Sequence, residues 1–379
     1  MSGATSAGAL VVDVHLRSSV AGLRGLGRAG VPAVALGVRR SAAGRWSRYA
    51  AARALAPDPA LDLHGYATAI AELVERDGPL VAYPGSEEGV DGVVAASELS
   101  SSVVAPFPVE SLTNLRHKPT LARLGAAIGV ETPTTVLEVP ASALRSNPPS
   151  FPCVIKPVVQ DGPVRSTTIV TSLAELKAVL ARLRDESPVL VQPVVPGELV
   201  SLGIVLDRDG AVVAAFQQVA KRTWPAAAGS TAMGLSVPLD PELLERAAEV
   251  LRGAGYWGLA DMEFLMERER FTLIDVNTRY YGNLALAECC GVNLPAAWRA
   301  AALGRPAPSR LPSYRAGVTY RWLEADLMSA LRGHPGRLMQ LAPRSRVGAM
   351  WAADDPLPGA LMAVSMVTDR IRCCVAARR

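Results

Sequence analysis

The sequence predicts an α/β fold that joins a parallel sheet in the first third of the chain to antiparallel strands further on. The first third alternates short apolar runs with segments of helical periodicity, which is typical of a parallel sheet with crossover helices. Further on, apolar strands at Leu259–Met266 and Phe271–Thr278 flank the charged turn Glu267–Arg270, which predicts a β-hairpin. A chain of 379 residues is long enough for two or three domains.

The N-terminal elements follow from the apolar runs. The predicted elements are a strand at Ala9–Val14, a helix at Val20–Gly30 and strands at Val31–Leu36 and Pro79–Tyr83. Gly22, Gly25 and Gly27 fall inside the predicted helix in the order G-x-x-G-x-G. A dinucleotide-binding loop has its glycines before the helix, so a nicotinamide dehydrogenase built on this sheet is an alternative that the glycines do not favour.

Proline, glycine and capping residues divide the rest of the chain into elements. Pro119 fits the first turn of a helix that ends near Gly129, Ser172 and Glu175 form a capping box, and Asp240 caps a helix from Pro241 to Gly253. The predicted strands between these helices are Phe151–Pro157, Val189–Val195, Ser201–Leu206 and Ala211–Gln217.

Composition excludes several classes of protein. The 39 basic and 35 acidic side chains are interspersed, so the net charge of +4 does not indicate a nucleic-acid surface. Five cysteines without C-x-x-C spacing argue against a disulfide framework or a zinc cluster and favour a reducing compartment. No apolar run reaches the roughly 18 residues of a membrane span, and no leader pattern is evident. We therefore expect a cytoplasmic protein that contacts neither nucleic acid nor membrane.

The predicted hairpin carries a candidate metal site. Alternation along its second strand places five residues on one face, namely Phe271, Leu273, Asp275, Asn277 and Arg279. A turn centred on Glu269 would put Glu263 directly opposite Asp275. Two carboxylates and an amide suit Mg²⁺ that is shared with phosphate oxygens. The alternative is a solvated hairpin face without a ligand.

Four further side chains could bind a nucleotide. Lys156 ends a buried apolar strand, where an ammonium needs an anion unless it lies on an edge strand and reaches solvent. Lys118 precedes the helix that begins at Pro119, whose N-terminus also attracts anions. Gln192 and Glu198 flank a Pro-Gly turn and could meet adenine and ribose, although Glu198 alone would be an ordinary turn carboxylate.

Together and in order, these residues resemble the ATP-grasp superfamily, specifically its carboxylate-amine ligase branch related to carbamoyl-phosphate synthetase and biotin carboxylase. The resemblance spans roughly residues 10 to 300 and is most specific in two segments. Residues 258–264 (GLADMEF) and 273–279 (LIDVNTR) are similar to the metal motif of the family. Tyr280-Tyr281-Gly282 and Gly291–Pro295 continue the similarity.

The resemblance implies a set of site residues and two cofactors, ATP and Mg²⁺. The implied ATP contacts are Lys118, Lys156, Ser166, Gln192, Val195 and Glu198. The implied metal ligands are Glu263, Asp275 and Asn277, and the implied catalytic residues are Arg279 and, near the transferred phosphate, Arg222. The chain departs from the family in a glycine-poor loop after Lys156 and in Asp275, where glutamate is usual.

The resemblance also implies a domain order and a reaction. The predicted domains are a Rossmann-like domain at 1–112, a small lid at 113–190, an antiparallel ATP- and metal-binding domain at 191–305 and a C-terminal extension of unknown role at 306–379. The implied reaction joins a small carboxylic acid or amino acid to an amine through an acyl phosphate, releasing ADP and phosphate. A homodimer is plausible for such ligases. The glycine-poor loop leaves one alternative, a nucleotide-binding sensor or partner protein without turnover.

Overall fold

The strands in the described part of this chain form three separate sheets. The computed structural model describes residues 8–78, 80–158, 167–225, 228–268, 270–331 and 347–364. Within those ranges the sheets have five, four and seven strands. None of the helices in the described ranges is both long and apolar enough to cross a bilayer.

The N-terminal sheet is parallel throughout and has the order β3-β2-β1-β4-β5. Its strands are β1 (Gly8–Val11), β2 (Ala33–Gly37), β3 (Ala50–Leu55), β4 (Leu80–Tyr83) and β5 (Val103–Val104). The helices between them are α1 (Arg17–Arg28), α2 (Leu63–Asp77) and α3 (Glu87–Leu99), with a 3-10 turn at Ala43–Trp46. The predicted parallel α/β arrangement is confirmed, and the buried strands β1, β2 and β4 carry its core.

The three glycines of the predicted helix lie inside α1, and their role is packing. A Cβ atom on Gly22 would lie 2.1 Å from the Tyr280 ring, and one on Gly25 would lie 2.8 Å from Pro295. A Cβ atom on Gly27 would overlap Tyr49 at 2.4 Å. Only glycine therefore allows α1 to approach these neighbours so closely, which accounts for the glycines without a dinucleotide.

A small antiparallel sheet follows, with the order β6-β9-β7-β8 and a hydrophobic core of its own. Its strands are β6 (Leu137–Pro140), β7 (Cys153–Pro157), β8 (Thr168–Val170) and β9 (Pro188–Pro193). The helices of this region are α4 (Val109–Arg116), α5 (Lys118–Ala127), α6 (Ala141–Ser146) and α7 (Leu173–Leu180). As predicted, Pro119 lies in the first turn of α5 and the Ser172 hydroxyl caps α7, accepting from the Glu175 N–H at 3.3 Å.

The third sheet is antiparallel except at its last pair and has the order β14-β13-β10-β11-β12-β15-β16. Its strands are β10 (Glu198–Leu206), β11 (Val212–Trp224), β12 (Ser230–Ser236), β13 (Gly258–Glu267), β14 (Arg270–Asn277), β15 (Thr319–Arg321) and β16 (Val347–Gly348). Its helices are α8 (Pro241–Gly253), α9 (Ala285–Cys290), α10 (Leu294–Ala302) and α11 (Leu323–Leu331). The predicted hairpin and the Asp240-capped helix are both confirmed.

The region predicted as a C-terminal extension contributes β15 and β16 to this third sheet. It also returns to the N-terminal sheet through Asp355, which is 1% exposed. The Asp355 carboxylate accepts from Arg24 Nε at 2.9 Å and from the Ser47 hydroxyl at 2.7 Å. The extension is therefore part of the packed structure, and the predicted domain boundaries stay predictions.

Replacing Asp355 with alanine should lower stability strongly, because Arg24 would be left buried without its carboxylate. We expect a loss of about 3–5 kcal/mol, measured by urea unfolding followed by circular dichroism. The control is Asp185→Ala, since Asp185 is 72% exposed in its ion pair with Arg145 and should contribute about 1 kcal/mol or less. Equal losses in the two variants would contradict a structural role for the buried pair.

Candidate active site

The β13–β14 hairpin places carboxylates directly opposite one another. Glu263 pairs with Asp275 and Asp261 pairs with Asn277 across the two strands, so the predicted register of Glu263 and Asp275 is confirmed. Asp261 and Glu263 are two residues apart on β13 and therefore share a face. Three carboxylates, Asp261, Glu263 and Asp275, line one cavity as a result.

The predicted face of β14 is wrong at Phe271 and Leu273. The register shifts by one residue between Glu263 and Phe264, because a β-bulge inserts Ile274 into the ladder. The Phe271 ring contacts the Phe264 ring with centroids 6.2 Å apart, on the side facing away from Glu263. The bulge thus lets Leu273 pack in the core while Ile274 and Asp275 both line cavities.

Burial, neighbouring carboxylates and two lysines shift the pKa values of the hairpin acids in different directions. Burial, reinforced by the charges of Asp261 and Asp275, raises the pKa of Glu263 to about 8. Burial raises the pKa of Asp261 to about 6, even though the Ser201 hydroxyl donates to it at 2.5 Å. Burial also acts on Asp275, but Lys118 and Lys156 outweigh it and hold the pKa of that carboxyl below its usual value.

Two lysines approach the hairpin, one from strand β7 of the second sheet and one from helix α5. Lys156 lies on β7, which has a neighbouring strand on each side, and the residue is only 7% exposed. The alternative of a lysine on an edge strand that reaches solvent is therefore wrong. Its ammonium donates to the Ile274 carbonyl at 3.2 Å, and burial lowers its pKa. Lys118 is the first residue of α5, not the one before it, and forms an ion pair with Asp275.

A cavity of about 440 Å³ lies between the second and third sheets and brings most of the predicted ATP contacts together. Its lining includes six predicted site residues: Lys156, Gln192, Val195, Glu198, Arg222 and Glu263. Apolar side chains such as Val154, Leu265 and Ile274 form much of the remaining wall. An apolar slot with a few polar groups is the usual form of a small-molecule site.

A second cavity of about 210 Å³ joins the first at Glu263. The predicted residues Asp275, Asn277 and Arg279 line it, together with Asp261 and Arg17, which were not predicted. A third, smaller cavity is lined by both Lys118 and Lys156. The predicted site residues in the described ranges therefore surround connected or adjacent cavities.

The catalytic candidates are held by carboxylates from distant parts of the chain. Arg279 donates to Glu87 at 2.7 Å and to the Asn277 side-chain oxygen at 3.0 Å. Burial opposes the charge of Arg279, but Glu87 outweighs it and raises the pKa of this guanidinium. Arg222 forms an ion pair with Asp326 at 2.7 Å. Glu198 pairs with Lys221 at 2.5 Å, so it is not simply a solvated turn carboxylate.

Sequence reasoning missed three residues of this region. Asp261 could have been found, because it precedes Glu263 by two residues in a strand and must share its face. Glu87 and Arg17 carry no local signal, since they lie nearly 200 or more residues from their partners Arg279 and Gly282. Ser166, predicted to donate to phosphate, lies outside the described residues.

The hairpin fits a cation that is shared with a ligand better than one held by protein alone. No group of three or more His, Cys, Asp or Glu in the described ranges is arranged to ligate an ion. However, Glu263 lines two cavities, and its side chain makes no hydrogen bond or ion pair with any residue that the structure describes. Its carboxyl group lies close to Asp261 and Asp275, and a divalent cation completed by ligand oxygens would favour the charged form of these acids.

Comparison with known proteins identifies the fold. Residues 185–325 match a family model described as ATP-grasp in the biosynthetic pathway with Ter operon. The chain also superposes on a biotin carboxylase–beta-gamma-ATP complex from Campylobacter jejuni with a TM-score of 0.64 and 16% identity. That match covers 81% of this chain and 73% of that one. The chain has an ATP-grasp fold.

Two further structures show the same fold. A pyruvate carboxylase from Rhizobium etli with acetyl coenzyme A matches with a TM-score of 0.63 and 16% identity, over 83% of this chain and 30% of that one. A biotin carboxylase subunit of pyruvate carboxylase matches with a TM-score of 0.55 and 16% identity, over 83% and 73%. No curated protein sequence matches significantly. Together the family model and the fold support an ATP-dependent ligase in general.

Replacing Glu263 with glutamine should stabilise the metal-free protein at alkaline pH. The unfolded chain releases this proton near pH 4.5, whereas the folded protein holds it to about pH 8, so Glu263 lowers stability increasingly as pH rises through that window. We expect the melting temperature of Glu263→Gln to exceed that of the wild type by at least about 2 °C at pH 8 in EDTA.

The same difference should nearly vanish at pH 4.5. The exposed residue Glu267 lies on the same strand, so Glu267→Gln is the control and should follow the wild-type curve. A constant offset between Glu263→Gln and the wild type across this pH range would contradict the prediction.

Proposed function

We propose that the chain is an ATP-dependent carboxylate-amine ligase that forms an amide or peptide bond through an acyl phosphate. The observation that carries the proposal is the junction of the two cavities at Glu263. One cavity is an apolar slot with Lys156, and the other holds the acidic hairpin and Arg279. This arrangement suits a nucleotide in the first cavity and a substrate in the second, with the transferred phosphate between them.

The proposed contacts to the nucleotide follow from the chemical character of the residues that line the first cavity. The apolar slot around Val195 and Ile274 suits adenine, with Gln192 and Glu198 available to its polar edge and to ribose. Lys156 and Lys118 supply positive charge for the phosphates. Lys118 now pairs with Asp275, so in the proposed complex a phosphate and a cation replace this ion pair.

Glu263, Asp275 and Asn277 are the proposed ligands of Mg²⁺. All three offer oxygen atoms on adjacent strands, and the shorter side chain of aspartate in place of glutamate would require a bound cation to lie closer to β14. When bound, Mg²⁺ would neutralise phosphate charge. Arg279, aligned by Glu87, would stabilise the negative charge that develops on the substrate during transfer.

The proposed reaction has two steps. An oxygen of the substrate carboxylate attacks the γ-phosphorus of ATP, which breaks the bond to the β,γ-bridging oxygen and releases ADP. The amine nitrogen then attacks the acyl carbon of the resulting acyl phosphate and breaks its C–O bond to phosphate. The products are an amide, inorganic phosphate and a proton, and the reaction requires that water be excluded from the acyl phosphate.

A substrate screen tests the proposal directly. The purified protein with Mg²⁺ and ATP should release ADP and phosphate only when a particular acid and amine are both present, with an amide detected by mass spectrometry. Nucleotide binding without ADP release across a broad panel would favour the sensor alternative. ADP release that is independent of any acid would sink the ligase assignment.

Replacing Lys156 with methionine should weaken ATP binding by about 10- to 100-fold, because a charged hydrogen bond to phosphate is lost. The melting temperature should not fall, since methionine fills a buried position without a charge. The control is Lys177→Met, an exposed lysine on α7 of the same region. Calorimetric titration with a non-hydrolysable ATP analogue measures the affinities of both variants and of the wild type. An unchanged affinity in Lys156→Met would place Lys156 outside the nucleotide site.

A further inference from the structure

Arg17 is an arginine of the second cavity that the proposed reaction does not use. It is the first residue of α1, the helix between strands β1 and β2 of the N-terminal sheet, and it is half-buried. Its Nε atom donates to the Gly282 carbonyl at 2.9 Å, and its guanidinium carbon lies 3.6 Å from the centroid of the Trp322 ring. A guanidinium has five N–H donors, so these neutral contacts leave most of them available to a ligand.

Arg17 differs from the other arginines of the site in having no acidic partner. Arg279 pairs with Glu87 and Arg222 pairs with Asp326. Among the residues that the structure describes, no carboxylate forms an ion pair with Arg17. A half-buried cation on a polar cavity wall without a counter-ion is expected to meet an anion that the chain itself does not supply.

The backbone beside Arg17 is shaped to hold its guanidinium in place. A Cβ atom on Gly282 would lie 2.4 Å from Arg17 Nη2 and 2.9 Å from Cζ. The guanidinium therefore packs between a glycine backbone and the Trp322 ring, and any larger residue at 282 would displace it. A planar group fixed in this way is preorganised for a planar, bidentate anion such as a carboxylate.

Arg17 does not line the proposed nucleotide cavity. Arg17 and Gly282 line only the second cavity, and the residues shared with the proposed nucleotide cavity are Thr167, Ala228, Gly229 and Glu263. An anion at Arg17 would therefore lie on the part of the second cavity wall that the first cavity does not share. The carboxylates of Asp261, Glu263 and Asp275 in the same cavity disfavour a dianionic phosphate there.

We infer that Arg17 binds a non-reacting carboxylate of a substrate, so that one substrate of this site is an amino acid or a dicarboxylic acid. The inference rests on the proposed ligase function and narrows its substrate class. Arg17 contributes affinity and selectivity, while phosphoryl transfer takes place at the hairpin.

Paired compounds that differ only in the second carboxylate test this inference. The panel contains amino acids beside their C-terminal amides as amine substrates, and dicarboxylates beside their monoamides as acid substrates. Each pair keeps its reacting group. For the productive pair, the wild type should show a KM about 10- to 100-fold lower for the carboxylate member. Arg17→Met should remove this preference and leave the KM for ATP unchanged.

Two variants control for structural damage. Gly282→Ala keeps the charge of Arg17 but displaces its guanidinium, and should also remove the carboxylate preference. Arg208→Met is a matched control, because Arg208 stacks on Trp257 at 4.9 Å and donates to the Ala302 carbonyl at 2.9 Å, yet lines neither cavity. This variant should keep the wild-type preference. A preference that persists in Arg17→Met, or is absent from the wild type while ADP is released, overturns the inference and leaves the ligase assignment standing.

If no pair supports ADP release, the ligase assignment fails and binding decides the inference separately. The same pairs are titrated calorimetrically into the protein with Mg²⁺ and a non-hydrolysable ATP analogue. Carboxylate binding that is lost in Arg17→Met, but retained in Arg208→Met, supports the Arg17 site. Binding of carboxylate and amide members with equal affinity, or no binding of either, overturns it.

Discussion

The structure of the site depends on the repulsion among three carboxylates that two neighbouring strands bring together. Asp261, Glu263 and Asp275 line one cavity, and burial strengthens the effect of each charge on the others. The third sheet does not neutralise them alone. Lys118 and Lys156 come from the region of the second sheet, and together with Arg279 they offset part of the negative charge. Glu263 keeps its proton to about pH 8, because these cations offset only part of the effect of burial and of the neighbouring carboxylates.

The N-terminal sheet completes this arrangement from the other side. Glu87, at the start of α3, pairs with both Arg279 at 2.7 Å and Arg116 at 3.0 Å, so it links the acidic hairpin to the helix that precedes the second sheet. The glycines of α1 allow that helix to lie against Tyr280 and Pro295 beyond the hairpin. The buried Arg24–Asp355 ion pair attaches the C-terminal segment to the same helix. The second cavity is lined by Arg17 of α1 and by residues of the β13–β14 hairpin, so its shape depends on how α1 packs against the third sheet.

The two halves of the proposed nucleotide cavity belong to bodies with different cores. Lys156 and Gln192 lie on the four-stranded sheet, which packs around its own hydrophobic cluster, whereas Glu263 and Leu265 lie on the seven-stranded sheet of the main core. An apolar slot between two such bodies can enclose a planar base while polar groups remain at its rim. This division also explains why the candidate nucleotide contacts are spread from Lys118 to Glu198 along the chain.

Local sequence patterns determined the elements that carry the site, because alternation, capping and turn residues act over a few positions. They predicted the hairpin, its Glu263–Asp275 register, the strand that carries Lys156 and the helix capped by Asp240. Only the tertiary structure decided the bulge at Ile274, the Lys118–Asp275 ion pair and the positions of Arg17 and Glu87. The ion pair and the positions of Arg17 and Glu87 depend on contacts between residues far apart in the chain. The packing of whole sheets fixes those contacts, and a pattern that extends over a few residues cannot predict it.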